Sequence, residues 1–173
     1  MTEIIRIPEE RVKVLIGKDG RTKKVIETKC KVELKITDGE VEVSGDATEI
    51  FFASEIVKAI GRGFEPRKAM LLLKEDFMFH LVALREILPS EKAIIRMKGR
   101  VIGEDGRIKT MIEESTDSFL SVYGNTIGII SKADTIEYAK EAVSMILNGA
   151  RHASVLAYLS KAKREILESR FRG

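Results

Sequence analysis

Displaced by 86 residues, the chain matches itself. Leu15–Gly63 lies against Val101–Gly149 without a gap, and 16 of the 49 positions are identical. Gly17 and Gly20 fall on Gly103 and Gly106, Asp19 on Asp105, Arg21 on Arg107, Lys23 on Lys109, Ile26 on Ile112 and Leu34 on Leu120. Nothing else in the sequence restricts the fold as much. Whatever the first stretch forms, the second forms again. Two copies are too few for a solenoid, in which at least about three stacked repeats are needed to bury a continuous core. A chain of 173 residues has room instead for a duplicated small domain.

Each copy carries the same order of patterns. In the first, 3–7 reads as a strand and 9–16 as a helix stopped at Gly17. A second helix follows over 21–29. Val32, Leu34 and Ile36 then alternate over 31–36, as on a half-buried strand. "TDGE" (37–40) is a hairpin turn signal, and 41–44 returns as a strand. A long helix runs from Asp46, the expected N-cap, to Gly61 or Gly63. The order is β-α-α-β-β-α. In the second copy the first strand falls within 77–87 and the first helix over 91–102, longer than its counterpart. The register fails upstream of Val101, so this is where the copies diverge. A last helix from Ala150 to Phe171 carries an apolar stripe at Val155, Leu159, Ala162 and Ile166, and "EPRKAMLLLK" (65–74) is its counterpart after the first copy. Domains are expected at 1–74, with a trailing helix, and 75–150, with 151–173 a C-terminal helix packed on the core. The fold class is α+β, each copy a three-stranded antiparallel sheet packed on three helices.

Charge is balanced where the repeats lie. Residues 1–62 hold 12 basic and 12 acidic side chains, and residues 63–150 hold 12 and 13. The excess sits in residues 151–173, with 6 and 2. A nucleic-acid binder of this kind needs local basic patches. Lys18, Arg21, Lys23 and Lys24 make one, and Arg100, Arg107 and Lys109 belong to another.

The glycine loops carry the chemistry. "GKDG" (17–20) and "GEDG" (103–106) each join two helices. Glycine has no Cβ to block a ligand and accepts positive φ. Such a turn presents the free N–H groups and positive dipole end of the next helix to a phosphate. The helix and strand that follow would wall a narrow apolar groove suited to splayed single-stranded bases.

In order, motif and spacing, this resembles a type I KH domain, twice, over nearly the whole chain. The resemblance implies single-stranded nucleic acid, about four nucleotides per domain, clamped at the glycine loop. The clamps would be Gly17, Lys18, Asp19 and Gly20, and Gly103, Glu104, Asp105 and Gly106. The grooves would be lined by Ile16 and Ile26, and by Ile102 and Ile112. KH domains commonly place an aliphatic residue three positions after the second glycine; here Lys23 and Lys109 stand there. That departure, with "GKDGRTKKVIE", is similar to the archaeal relatives of the eukaryotic Pno protein, partner of the Nob endonuclease. The resemblance implies binding near the 3′ end of small-subunit rRNA during ribosome assembly. The implied partners are that RNA, a ribosome-assembly endonuclease or a translation-initiation factor. Glu104 argues against a strong second clamp, because two acids would repel a phosphate. Arg100, Arg107 and Lys109 oppose that repulsion, lying within a Debye length of about 8 Å.

Other classes find little in the sequence. No run approaches a membrane span, and the N-terminus lacks the pattern of a secretory signal. Cys30 is alone, so no internal disulfide forms, and no metal cluster or cofactor site is expected. A reducing cytoplasm fits. There is no G-x-x-x-x-G-K-[ST], no nucleophile elbow, and His80 and His152 are isolated, so no catalytic residue is assigned. The competing class is a protein-interaction scaffold, which the balanced charge permits.

Overall fold

The structure is a computed structural model that describes all residues 1–173. The chain divides into two units, Met1–Phe79 and His80–Gly173. In the first, β1 (Thr2–Arg6), α1 (Glu9–Ile16), α2 (Arg21–Cys30), β2 (Glu33–Thr37), β3 (Glu40–Ser44) and α3 (Ala47–Gly61) follow in the expected order. β3 is central, with β1 and β2 antiparallel on either side. The β2–β3 hairpin turns through Asp38 and Gly39 at φ 49° and 81°, the left-handed pair that a two-residue type I′ turn demands.

Alternation decides which sheet face is buried. Ile5, Leu34, Val41 and Val43 point inward and are buried, while Ile4, Glu33 and Lys35 point out. The inner face meets Leu15 of α1, Ile26 of α2, and Ile50, Ala53, Val57 and Ile60 of α3, all buried. Asp46 does precede α3 with extended dihedrals, but its side chain makes no capping hydrogen bond. The 65–74 segment is one short helix, α4 (Pro66–Ala69), followed by a 3-10 turn over Met70–Leu73. It buries Ala69 and Leu72 and packs on α3.

The second unit repeats the plan. β4 (Phe77–Ala83), whose first residues precede the unit boundary, joins β6 (Thr126–Lys132) and β5 (Ser118–Tyr123) in the order β4-β6-β5. The helices are α6 (Glu91–Ile102), α7 (Arg107–Thr116) and α8 (Ile136–Leu147). A short helix α5 (Leu84–Ile87) stands between β4 and α6. With the extra first turn of α6, it accounts for the lost register: α6 has 12 residues where α1 has 8. Ser90 caps α6, its hydroxyl oxygen accepting from the Ala93 N–H at 3.1 Å. The 21-residue α9 (His152–Arg172) packs on α7 and α8, burying Val155, Leu159, Ala162 and Ile166. No helix is long and apolar enough to cross a membrane.

Candidate nucleic-acid interface

The two glycine turns are built alike. Gly17 sits at φ 75°, ψ 177° and Gly103 at φ 76°, ψ 174°, a region essentially closed to other residues. A Cβ on Gly17 would come within 2.3 Å of Thr22 Oγ1; on Gly103, within 2.5 Å of Ile108 Cγ1. The first glycine of each turn is thus required by packing as well as dihedral. Asp19 and Gly20, and Asp105 and Gly106, then take left-handed φ between 54° and 74°. Around Gly20 and Gly106 no atom lies within 4 Å of a Cβ position. That side of each turn is open to a ligand.

The second glycine is also the N-cap of the following helix, and no side chain caps α2 or α7 there. The helix ends keep their positive dipole ends facing the loop. Lys18 and Asp19 are exposed at the first tip, Glu104 and Asp105 at the second. Arg21, Lys24 and Arg107 are exposed immediately beyond, and Lys23 and Lys109 are half-buried. Ile16 and Ile102 are half-buried where α1 and α6 enter the turns.

Three expected site residues are corrected. Ile26 and Ile112 are 0% exposed. They face the sheet from the inner side of α2 and α7 and belong to the core, so neither lines an open groove. Their identity in both copies reflects packing. Arg100 turns away from the loop. Its guanidinium donates to the Ala150 carbonyl, and to Ile146 O at 3.4 Å, closing the C-terminal end of α8. In the first unit Arg11 does the same work: Nε donates to Ile60 O and Nη2 to Phe64 O, both at 2.8 Å. Those acceptors correspond at the shift of 86, whereas the arginines stand one helical turn apart.

Sequence reasoning missed one pair of residues. Glu27 Oε1 accepts from the Leu34 N–H at 2.9 Å, and Glu113 Oε2 from the Leu120 N–H at 3.0 Å. β2 and β5 are sheet edges, and these amides point away from the strand partner. Each carboxylate latches the helix after the glycine turn to the edge of its sheet. Lys23 lies 3.8 Å from Glu27 and Lys109 3.2 Å from Glu113. The unusual lysine at the aliphatic position therefore has an intramolecular partner. The only signal was that the Lys–Glu pair recurs in both copies. No group of three or more His, Cys, Asp or Glu side chains is placed to hold a metal ion.

Two glycine-turn units of this topology, each with the turn opening a helix beside an edge strand, also match a family model. A model of the eukaryotic-type KH domain (KH-domain type I) covers residues 9–76 and again 78–164. The chain belongs to the type I KH family. Among its KH relatives, a KH domain-containing protein of Methanocaldococcus jannaschii is 41% identical over 175 residues, 98% of this chain and 77% of that protein. The pre-rRNA-processing protein PNO1 of Chaetomium thermophilum is 26% identical, over 89% of this chain and 63% of its own length. This KH chain therefore spans less than two thirds of that eukaryotic relative. The crystal structure of Dim2p from Pyrococcus horikoshii shares 39% identity and a TM-score of 0.86, covering 93% of this chain and 99% of that one. The same organism's aDim2p has been crystallised in a complex with a/eIF2alpha and rRNA; the match there has a TM-score of 0.88, 39% identity and 95% coverage of both chains.

Proposed function

We propose that this chain binds single-stranded RNA through its two glycine turns, near the 3′ end of small-subunit rRNA, during ribosome assembly and pre-rRNA processing. It does so without catalysis, in the cytoplasm. The observation that carries the reading is the doubled turn, with matching dihedrals and an uncapped helix end at each. The naming of PNO1 as a pre-rRNA-processing protein and the Pyrococcus complex with rRNA support the choice of RNA. That complex also supports a translation-initiation factor as a protein partner; a ribosome-assembly endonuclease is the other.

The work divides by segment. Residues 1–74 and 75–150 each supply one groove, and 151–173 braces the second. In the first, Gly17–Gly20 clamps phosphate, with Lys18, Arg21, Lys23 and Lys24 adding charge. In the second, Gly103–Gly106 clamps, with Arg107 and Lys109 offsetting Glu104 and Asp105. Half-buried Ile16 and Ile102 supply apolar surface at the mouth of each turn.

The test is fluorescence anisotropy with a twelve-nucleotide RNA of the small-subunit rRNA 3′ end. A five-nucleotide piece and the annealed duplex serve as comparisons. The expected result is salt-sensitive binding of the single strand, far weaker binding of the short piece because only one groove is filled, and loss with the duplex. No binding of the single strand would favour a protein scaffold. Equal affinity for duplex and single strand would mean a nonspecific basic surface.

A further inference from the structure

The two units differ in how the first strand meets the last helix of the repeat. The Ile7 N–H donates to Gly39 O and the Leu84 N–H to Asn125 O, both at 2.9 Å. Gly39 and Asn125 correspond at the shift of 86, so β4 lies over β1 at a shift of 77. His80 therefore stands where Glu3 stands in the first unit.

In the first unit, side chains tie β1 to α3. Glu3 accepts a hydrogen bond from the Ser54 hydroxyl at 2.6 Å and lies 3.3 Å from Lys58, which reaches Glu55 at 3.7 Å. Lys58 is also the basic residue in the last turn of α3, where the helix dipole favours a cation. In the second unit Glu3, Ser54 and Lys58 become His80, Lys140 and Ser144. The carboxylate–lysine tie is gone, and a cavity of about 450 Å³ opens between β4 and α8. Its size is that of a ligand site. The short helix α5, which breaks the repeat register, adds Glu86 and Ile87 to its wall.

The cavity keeps the acids and lacks the lysine. Glu141 stands in place of Glu55 and Glu137 in place of Phe51, and Glu86 comes from α5. Against these carboxylates stands Lys140, paired with Glu137 at 3.2 Å. His80 adds little positive charge: burial and the Lys140 ammonium hold its imidazole below the usual range, with Glu137 partly opposing. Glu86 and Glu141 have no cation partner, and α8 has no basic residue in its last turn. Arg11 and Arg100 close the ends of α3 and α8 alike, so the charge the second unit lacks is that of Lys58. Val82, Val143 and Leu147 supply apolar surface for a side-chain stem.

The strand side argues for a polypeptide. Four consecutive residues of β4, from His80 to Ala83, line the cavity. Successive side chains point to opposite faces, so the cavity runs along the margin of the strand rather than under one face. β4 pairs with β6 alone, which leaves that margin without a strand partner. We propose that this cavity is a docking site for an extended, lysine-bearing segment of a partner protein. The segment pairs with the free edge of β4. Its lysine lays the methylene stem on Val82, Val143 and Leu147 and brings the ammonium to Glu141 and Glu86, taking the place that Lys58 takes in the first unit. The proposal does not rest on RNA binding.

The probe is a set of three pools of fluorescent seven-residue peptides. Their flanks hold threonine, valine, isoleucine and serine at random, and the central residue is lysine, norleucine or glutamate. Anisotropy is read against the full chain, with 1,5-diaminopentane as a free competitor. The protein variants are Ser144→Lys, which supplies the missing lysine from α8 itself, and the pair Glu86→Gln with Glu141→Gln. All three positions are exposed, and thermal melts check folding. The expected result is saturable binding of the lysine pool, at least tenfold weaker binding of the other two pools, and at least tenfold loss in each variant. Equal binding of the norleucine pool would make the cavity an apolar groove. Displacement by 1,5-diaminopentane at the concentration of the peptides would make it a site for small amines. Parent-like binding in the variants would put the peptide elsewhere. Each of these overturns the proposal, as does a lysine pool that fails to bind.

Discussion

Removing the Glu113 carboxylate should loosen one amide more than any other. Leu120 is 4% exposed, and its N–H points off the edge of β5 with Glu113 Oε2 as acceptor at 3.0 Å. In Glu113→Ala that donor is left without a partner. An unsatisfied buried donor costs about 1–3 kcal/mol, and removal of the i,i+4 pair with Lys109 adds about 0.2–0.5 kcal/mol. Taking about 2 kcal/mol, and about 1.4 kcal/mol per tenfold, local opening at Leu120 becomes roughly 30-fold more populated. Glu113→Gln keeps a carbonyl acceptor in place and should cost less than about 1 kcal/mol. Hydrogen exchange followed residue by residue reads this directly. The Leu120 amide should exchange about 30-fold faster in Glu113→Ala and only a few-fold faster in Glu113→Gln. The equivalent Leu34 amide, held by Glu27, is the internal control and should not move; Glu27→Ala should reverse the pattern. If the Leu120 amide exchanges at the parent rate in Glu113→Ala, the latch does not hold the edge strand.

The exposed loop tips should separate binding from folding. Lys18→Glu should weaken RNA binding and lower the log–log salt slope by roughly 0.7 for each phosphate no longer neutralised, and Glu104→Lys should do the opposite; a parent-like Lys18→Glu in a salt titration would remove that loop as a clamp. Within each turn the first glycine should matter more. Gly17→Ala meets Thr22 Oγ1 at 2.3 Å and Thr22 N at 2.9 Å and should cost more than about 2 kcal/mol, while Gly20→Ala faces open space and should cost only the left-handed penalty of about 1–2 kcal/mol; urea midpoints give the order, and equal losses would contradict it. Burial, with a smaller push from Glu49, holds the Cys30 thiol up at about 11. Iodoacetamide at a pH of about 7.5 should therefore react at least on the order of 100-fold more slowly than with a free thiol of pKa about 8.5, and urea should restore the rate.

Much of the fold was legible because the sequence states it in periods. The β2 and β3 strands alternate, "DG" supplies the left-handed turn, and the stripe of α9 is the set of four buried residues expected. Helices α1 and α6 end, and α2 and α7 begin, at their glycine signals. The start of the second unit was less legible because α5 and the added turn of α6 break the repeat register, and only the intact register carried information across copies. Within the site, the turns were readable because positive φ demands glycine. The groove wall was misread at Ile26 and Ile112, where repetition marks a shared core. Arg100 was misread because a cation near the loop in sequence reaches a helix end 46 and 50 residues away. The Glu27 and Glu113 latches have no sequence motif of their own; their partners are backbone amides, which every strand residue has.

The arginine forks at the ends of α3 and α8 reach further than their local bonds. Arg11 and Arg100 claim equivalent carbonyls, yet counted back from Gly17 and Gly103, where their helices end, Arg11 stands level with Met97 and Arg100 with Val14. A column-by-column comparison of the copies scores two unrelated substitutions where the molecule has kept one bond pattern. What duplication preserved here is the acceptor, fixed in the backbone; the donor is free to come from either of two successive turns. A designer building an idealised third copy has the same freedom once. An arginine at either turn satisfies the helix end, but arginines at both would compete for the same two oxygens and leave one guanidinium without its place.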